Sequence, residues 1–276
     1  MKLTLFILAL ISFLALKAET SSLRRIKWEW EGHPHSPKDL PLNFTVQKRI
    51  YNGEKAEEGQ FPYIVFLSIT LNNGKGSACG GSIIDHSWIL TAAHCTHNAE
   101  SIEIFYGSTK RGEGQFSHKV GADKIIQHDG YDDDSLENDV ALIQTPHVDF
   151  TELVDKVELA DRDNDYEGNW AIASGWGDAS DDGHSPEDLQ YADLQILSKD
   201  ECWKGIGRES DNILCVSTSE GKTIGSGDSG GPLVTHDEPK LVGVSSFTLF
   251  TRSSLPAGFS RVSAHRDWIR DHTGID

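Results

Sequence analysis

From Ile50 onward, short apolar runs alternate with Gly, Asn and Asp turns. The stretches 63–71, 82–90, 101–106, 140–144, 170–174 and 240–247 are rich in β-branched and aromatic residues and predict strands. Several short strands at this spacing predict an all-β sandwich or barrel. Only the C-terminal end reads as helical, with Ser263 as a cap, Trp268 and Ile269 on one face and Gly274 as the stop. No fixed-period repeat and no low-complexity tract interrupts the pattern.

The first residues follow a different rule. Lys2 precedes an apolar run over residues 3–16, broken only by Thr4 and Ser12, and Ala18 offers a small residue for cleavage. A membrane span needs about 20 apolar residues, so residues 1–18 read as a removable signal peptide rather than an anchor. Residues 19–49 carry Pro34, Pro37 and Pro41, mixed charge and little periodicity, and read as a pro-segment. Asn43-Phe44-Thr45 is a glycosylation sequon there. His33 and His35 fall in the same segment and are read as incidental.

The full chain of 276 residues has a formal net charge of −18. Residues 1–49 hold eight basic and four acidic side chains, which leaves 17 basic and 39 acidic groups in residues 50–276. Phosphate recognition needs clustered Lys and Arg, so a nucleic-acid partner is excluded. The acidity reads as a solvated surface, the run Asp132-Asp133-Asp134 included. A secreted chain favours disulfides, and Cys79, Cys95, Cys202 and Cys215 lack the CxxC spacing of a zinc site. Four cysteines allow three pairings. The local pairs Cys79 with Cys95 and Cys202 with Cys215 are the expectation, although spacing alone does not decide it.

Three stretches carry chemistry. In Gly227-Asp228-Ser229-Gly230-Gly231-Pro232 a serine sits between glycines, where a tight turn can aim backbone N–H groups at a reacting carbonyl oxygen. Thr91-Ala92-Ala93-His94-Cys95 places a histidine beside a cysteine at a strand end. Asn138-Asp139-Val140-Ala141-Leu142 opens an apolar strand with a carboxylate, which needs a partner such as an imidazole N–H if it is buried. Each alone is an ordinary turn, structural histidine or cap.

Taken together, in the order His, Asp, Ser, these motifs resemble the chymotrypsin-type serine endopeptidases. The resemblance spans about residues 50–276 and is strengthened by Arg49-Ile50-Tyr51-Asn52-Gly53, Cys79-Gly80-Gly81-Ser82, Ser174-Gly175-Trp176-Gly177 and Asp267-Trp268-Ile269. Within the family the chain is most similar to secreted digestive-type enzymes of arthropods. The resemblance implies two six-stranded antiparallel β-barrels with the active site between them and a C-terminal helix. It implies Ser229 as nucleophile, His94 as general base and then acid, Asp139 as the group that orients the imidazole, and the N–H groups of Gly227 and Ser229 as oxyanion hole. Both expected disulfides match common bridges of the family.

The junction Arg49-Ile50 resembles an activation site, where cleavage frees an Ile50 amine to pair with Asp228. Thr223 occupies the position at the base of the specificity pocket and brings no charge, so cleavage after Lys or Arg is disfavoured and a separate trypsin-like activator is expected. The resemblance implies Ser246 and Phe247 as further substrate-binding residues. Thr248 and Ala257 stand where wide-pocket relatives keep glycine, which implies small or medium apolar residues before the scissile bond. Gly225 replaces a cysteine of most relatives, and the loop 248–255 has no cysteine, so the pocket wall lacks one staple.

The stretch 107–118, a calcium loop in some relatives, has Glu113 as its only acid, so no metal is expected, and no cofactor. Expected partners are protein or peptide substrates, the activating protease and protein inhibitors, with the enzyme a monomer that has no membrane contact after signal removal. Two alternatives remain open at this level: a silent homologue that binds a partner, and a regulatory cascade protease with one protein substrate.

Overall fold

The computed structural model describes residues 53–177, 186–225, 227–248 and 255–276. The signal and pro-segments expected over 1–18 and 19–49, with Asn43, Arg49 and Ile50, lie outside the described residues.

The first half forms β2 (Ile64–Leu71), β3 (Gly76–Asp85), β4 (Trp88–Thr91), β5 (Ala99–Tyr106), β6 (Phe116–Gly121), β7 (Ile125–Gln127) and β8 (Ala141–Gln144), preceded by the two-residue β1 (Glu54–Lys55). Strand β5 shows why: Ala99, Ile102, Ile104 and Tyr106 face the core while the residues between them face outward. The order is β6-β5-β2-β3-β4-β8-β7, with every pair antiparallel. The two edges β6 and β7 are joined by a single 3-10 turn, Ala122–Lys124, so one bent segment closes the sheet on itself.

The second half contributes β9 (Glu158–Leu159), β10 (Trp170–Gly175), β11 (Gln190–Gln195), β12 (Ile213–Val216), β13 (Pro232–Thr235), β14 (Lys240–Thr248) and β15 (Ala257–Arg261). Its order is β1-β11-β10-β13-β14-β15-β12, with β9 beside β14. A bridge between Ile196 and Val216, flanked by the bonds Leu197 N to Cys215 O (2.9 Å) and Ser217 N to Gln195 O (2.8 Å), joins the β11 end to β12 and closes this sheet too. Among the described residues each half therefore has six strands of four or more residues. The three-residue β7 and the two-residue β1 and β9 are additions to that plan.

One strand expectation needs correction. The run 82–90 is a hairpin rather than one strand: His86 and Ser87 turn the chain, and Asp85 pairs across the turn with Trp88. The His86 ring stacks on Phe150 (3.9 Å), and its Nδ1–H donates to Val148 O (2.7 Å). Strands β11 and β15 carry too little apolar alternation to stand out in the sequence.

Among the described residues the helices are α1 (Ala93–Thr96), α2 (Lys199–Ile206) and α3 (Arg266–Thr273). Helix α2 was not expected. Ser198 caps it, Glu201 closes a capping box, and Gly207 at φ 76° ends it. At α3 the expected stop, Gly274, is in place at φ 76°. Ser263 is not the cap. It lies inside a 3-10 turn, Val262–His265, and α3 starts only after His265, which supplies no side-chain cap. That turn is held because His265 Nδ1 donates to Arg261 O at 2.8 Å.

His265 is a buried residue whose Nε2 has no partner among the described residues. Burial lowers its pKa to about 4, aided by His128 and opposed by the Arg261 carbonyl, Glu137 and Asp139. Its folded pKa is thus below the unfolded value. The neutral ring contributes stability that is complete above about pH 6.5 and is lost as pH falls toward 4. The shift corresponds to about 3 kcal/mol. Chemical denaturation of His265→Leu at pH 7 and pH 4 should therefore show a smaller acid loss than the parent chain, by up to that amount. Parallel losses in the two proteins would refute the assignment.

Candidate active site

His94 sits on the single turn of α1, directly after β4. Three contacts fix that turn: a disulfide from Cys95 to Cys79 on β3, a hydrogen bond from Thr91 Oγ1 to Gly80 O (2.8 Å), and one from Gln127 Nε2 to Ala93 O (2.8 Å). The other expected disulfide, Cys202 to Cys215, ties α2 to β12. Cys79, Cys95 and His94 bring three potential ligand atoms within 4.8 Å, but both sulfurs are committed to the disulfide and are not thiolates.

Asp139 is completely buried at the mouth of β8. Its Oδ2 accepts from His94 Nδ1 at 2.7 Å and from Ser246 Oγ at 2.6 Å, and its Oδ1 accepts from His94 N at 2.9 Å. Ser260 Oγ donates to the Asp139 carbonyl at 2.8 Å. The carboxylate therefore belongs to the first sheet and is gripped by β14 and β15 of the second. Burial pulls the His94 pKa down, but the adjacent carboxylate outweighs it and holds the imidazole above its ordinary value. Burial likewise pushes Asp139 up, and the His94 charge together with the three donors brings it below the usual carboxylate range. The pair favours Nδ1–H, leaving Nε2 as the acceptor.

Ser229 lies on the turn between Gly227 and β13. The Asp228 carboxylate inside that turn is buried and accepts from Gly177 N (2.7 Å) and Gly225 N (2.8 Å). Ser229 O accepts from Gly80 N at 2.8 Å, and Gly230 N donates to Ser245 O at 2.8 Å, so both sheets hold the turn. Gly230 is required twice over. Its φ is 77°, and a Cβ there would meet Thr91 Oγ1 at 2.2 Å and Gly80 O at 2.5 Å. Gly80 is equally constrained, since a Cβ would meet Gly231 Cα at 2.9 Å. This close approach of two glycine-bearing backbones brings the serine turn against the segment that leads into His94. Among the described residues, the amides of Gly227 and Ser229 donate to no acceptor.

The Trypsin family model matches residues 50–269. The chain belongs to this family of serine endopeptidases. It is 51% identical over 236 residues to Serine protease 1 of Drosophila melanogaster, covering 83% of this chain and 88% of that protein. It is 42% identical to Collagenase of Hypoderma lineatum, over 82% of this chain and 88% of the relative. The solved HL collagenase structure superimposes with a TM-score of 0.78 at 40% identity, covering 82% of this chain and 100% of that one.

In this protease the sequence-predicted pocket residues fall into two groups. Thr248 and Ala257 are direct partners across β14 and β15, Ala257 is fully buried, and Thr223 is half-buried ahead of buried Ile224. For the other two, the Ser246 hydroxyl donates to Asp139, and Phe247 packs against the cluster of Cys202, Ile206, Ile213 and Cys215. The anchoring role of Ser246 and Ser260 carried no signal in the sequence. Among the described residues no helix is long and apolar enough to cross a membrane.

Proposed function

We propose that this chain is a secreted zymogen whose protease domain, residues 50–276, cleaves peptide bonds through an acyl-enzyme on Ser229. The observation that carries the reading is the buried Asp139 carboxylate on His94 Nδ1, which leaves Nε2 to take the Ser229 proton. His94 then returns that proton to the leaving amine, and Asp139 stabilises the intervening imidazolium. The amides of Gly227 and Ser229 receive the oxyanion, a contribution of about 10² to 10³ in rate for each donor.

Residues 1–18 act as the signal and 19–49 as the pro-segment. Cleavage after Arg49 frees an Ile50 ammonium for Asp228, whose carboxylate already sits in a dry, N–H-lined position. A buried ion pair of this kind orders the Gly227–Ser229 turn only after processing. Thr223 supplies no carboxylate for a cationic side chain, and Thr248 and Ala257 narrow the pocket, which favours small or medium apolar residues before the scissile bond. Self-activation after Arg49 is thereby slow, and a trypsin-like enzyme performs it. The relative named as a collagenase supports proteins as the substrate class, in keeping with a digestive role.

The test is a peptide library presented to the intact chain and to the chain beginning at Ile50. The processed chain should cleave after small apolar residues and the intact chain should be far slower. Equal rates would refute the zymogen. Cleavage after Phe or Tyr would refute the narrowed pocket, and cleavage after Lys or Arg the reading of Thr223.

A further inference from the structure

The Asp139 main chain is delivered by a loop, residues 128–139, that the first sheet does not hold by itself. Two of its residues have positive φ, Leu136 at 55° and Asn138 at 55°, the latter immediately before Asp139. Such conformations persist only where surrounding contacts impose them. Some of those contacts are the loop's own, such as Leu136 N to Asp132 O at 2.7 Å and the Asp132–Glu137 bridge, and the rest come from the other half of the molecule, from the loop between α2 and β12. Arg208 pairs with Glu137 at 2.9 Å and donates to Ser135 O. Asn212 Nδ2 donates to Asn138 Oδ1 at 3.0 Å and to Glu137 Oε2 at 3.3 Å, while Asn138 Nδ2 reaches back to Gly130 O at 2.9 Å. The Arg208 and Glu137 side chains are about three-quarters covered, at 26% and 25% exposure, so the pair is shielded from the full screening of water.

We infer that Arg208 and Asn212 form a clamp across the two halves that positions Asp139 against His94. The inference rests on the triad reading above. Asn212 is doubly suited to it, because its carbonyl accepts from Arg261 N at 2.8 Å on β15, next to Ser260, whose hydroxyl holds the Asp139 carbonyl. One short stretch of the second half thus fixes the residue before Asp139 through a side chain, while its strand neighbour fixes Asp139 through the backbone. Arg208 and Asn212 are positioning residues and touch no reacting atom.

The test uses the processed chain and a small peptide ester. Asn212→Ala removes only a neutral amide, so it changes no charge near His94, which otherwise faces Asp139 and Asp133. A carboxylate displaced by a fraction of an ångström couples less well to the imidazole. The expected result is a fall in kcat of about tenfold with KM unchanged, and an acid limb of the kcat profile moved to lower pH. The charge-neutral double change Glu137→Gln with Arg208→Gln should do the same, and Arg208→Lys opposite the native Glu137 should keep most of the rate that Arg208→Gln loses. If both neutral variants keep the parent kcat and pH profile, even with a lower Tm, the residues are structural only and the inference is overturned. If Asp139→Asn is itself fully active, the triad reading falls and the clamp with it. If Asp139→Asn is crippled while the clamp variants are normal, only the clamp falls.

Discussion

Ser229→Ala is expected to lower kcat for peptide hydrolysis by about 10⁶-fold while leaving the fold and KM nearly unchanged. The size follows from the loss of the nucleophile: without its oxygen no acyl-enzyme forms, and water must attack without covalent help. The small effect on the fold follows from the local contacts. Ser229 is tied in by its carbonyl, which accepts from Gly80 N at 2.8 Å, and its neighbour by Gly230 N to Ser245 O, and neither bond uses the hydroxyl. Residual activity of about 10³ to 10⁴ over water should survive, since the oxyanion donors and substrate contacts remain. Single-turnover kinetics with an activated ester would show the loss of the burst that marks acylation. A drop of less than about 10²-fold would exclude a covalent route through Ser229.

Much of this fold was legible because strand signals are local. In β5 the alternation of Ile102, Ile104 and Tyr106 against the residues between them is a two-residue period that needs no knowledge of the partner strand. Helix α2 was equally legible in principle, since Ser198 and Glu201 have capping-box spacing and Gly207 follows as a stop. It was missed because its sequence KDECWKGI buries only Cys202 and Ile206, too few for an apolar stripe. The Ser263 cap failed for a different reason. The chain leaves β15 through a 3-10 turn bonded to Arg261 O, so the helix proper begins two residues later than capping chemistry suggests.

The site divides in the same way. His94, Asp139 and Ser229 each sit in a short motif with local backbone demands, such as the positive φ of Gly230, and so were legible as candidates. Ser246 and Ser260 were not found as supports of Asp139, because they are 107 and 121 residues away in sequence. A serine that will bond a distant carboxylate looks like any other strand serine until the topology places β14 and β15 beside it. Asn212, 74 residues from Asn138, is hidden for the same reason.

Asp139→Asn separates orientation from charge, and its expected cost is about 10⁴-fold in kcat. The Asp139 oxygens are acceptors throughout, for His94 N, His94 Nδ1 and Ser246 Oγ. An amide cannot accept at both positions. With its NH₂ toward the imidazole it donates to Nδ1, which places the ring proton on Nε2 and removes the acceptor that Ser229 needs. With its NH₂ toward His94 N two donors face each other in a buried site, which is costlier still. The charge that raised His94 is lost in either case. The acid limb of kcat/KM, which reports the imidazole becoming neutral, must therefore move to lower pH in the variant, while burial continues to favour the neutral ring. A pH–rate profile on the processed chain reads both effects at once. A large fall in rate with an unmoved acid limb would mean that Asp139 orients the ring without tuning it, and a moved limb with near-normal rate would mean the reverse.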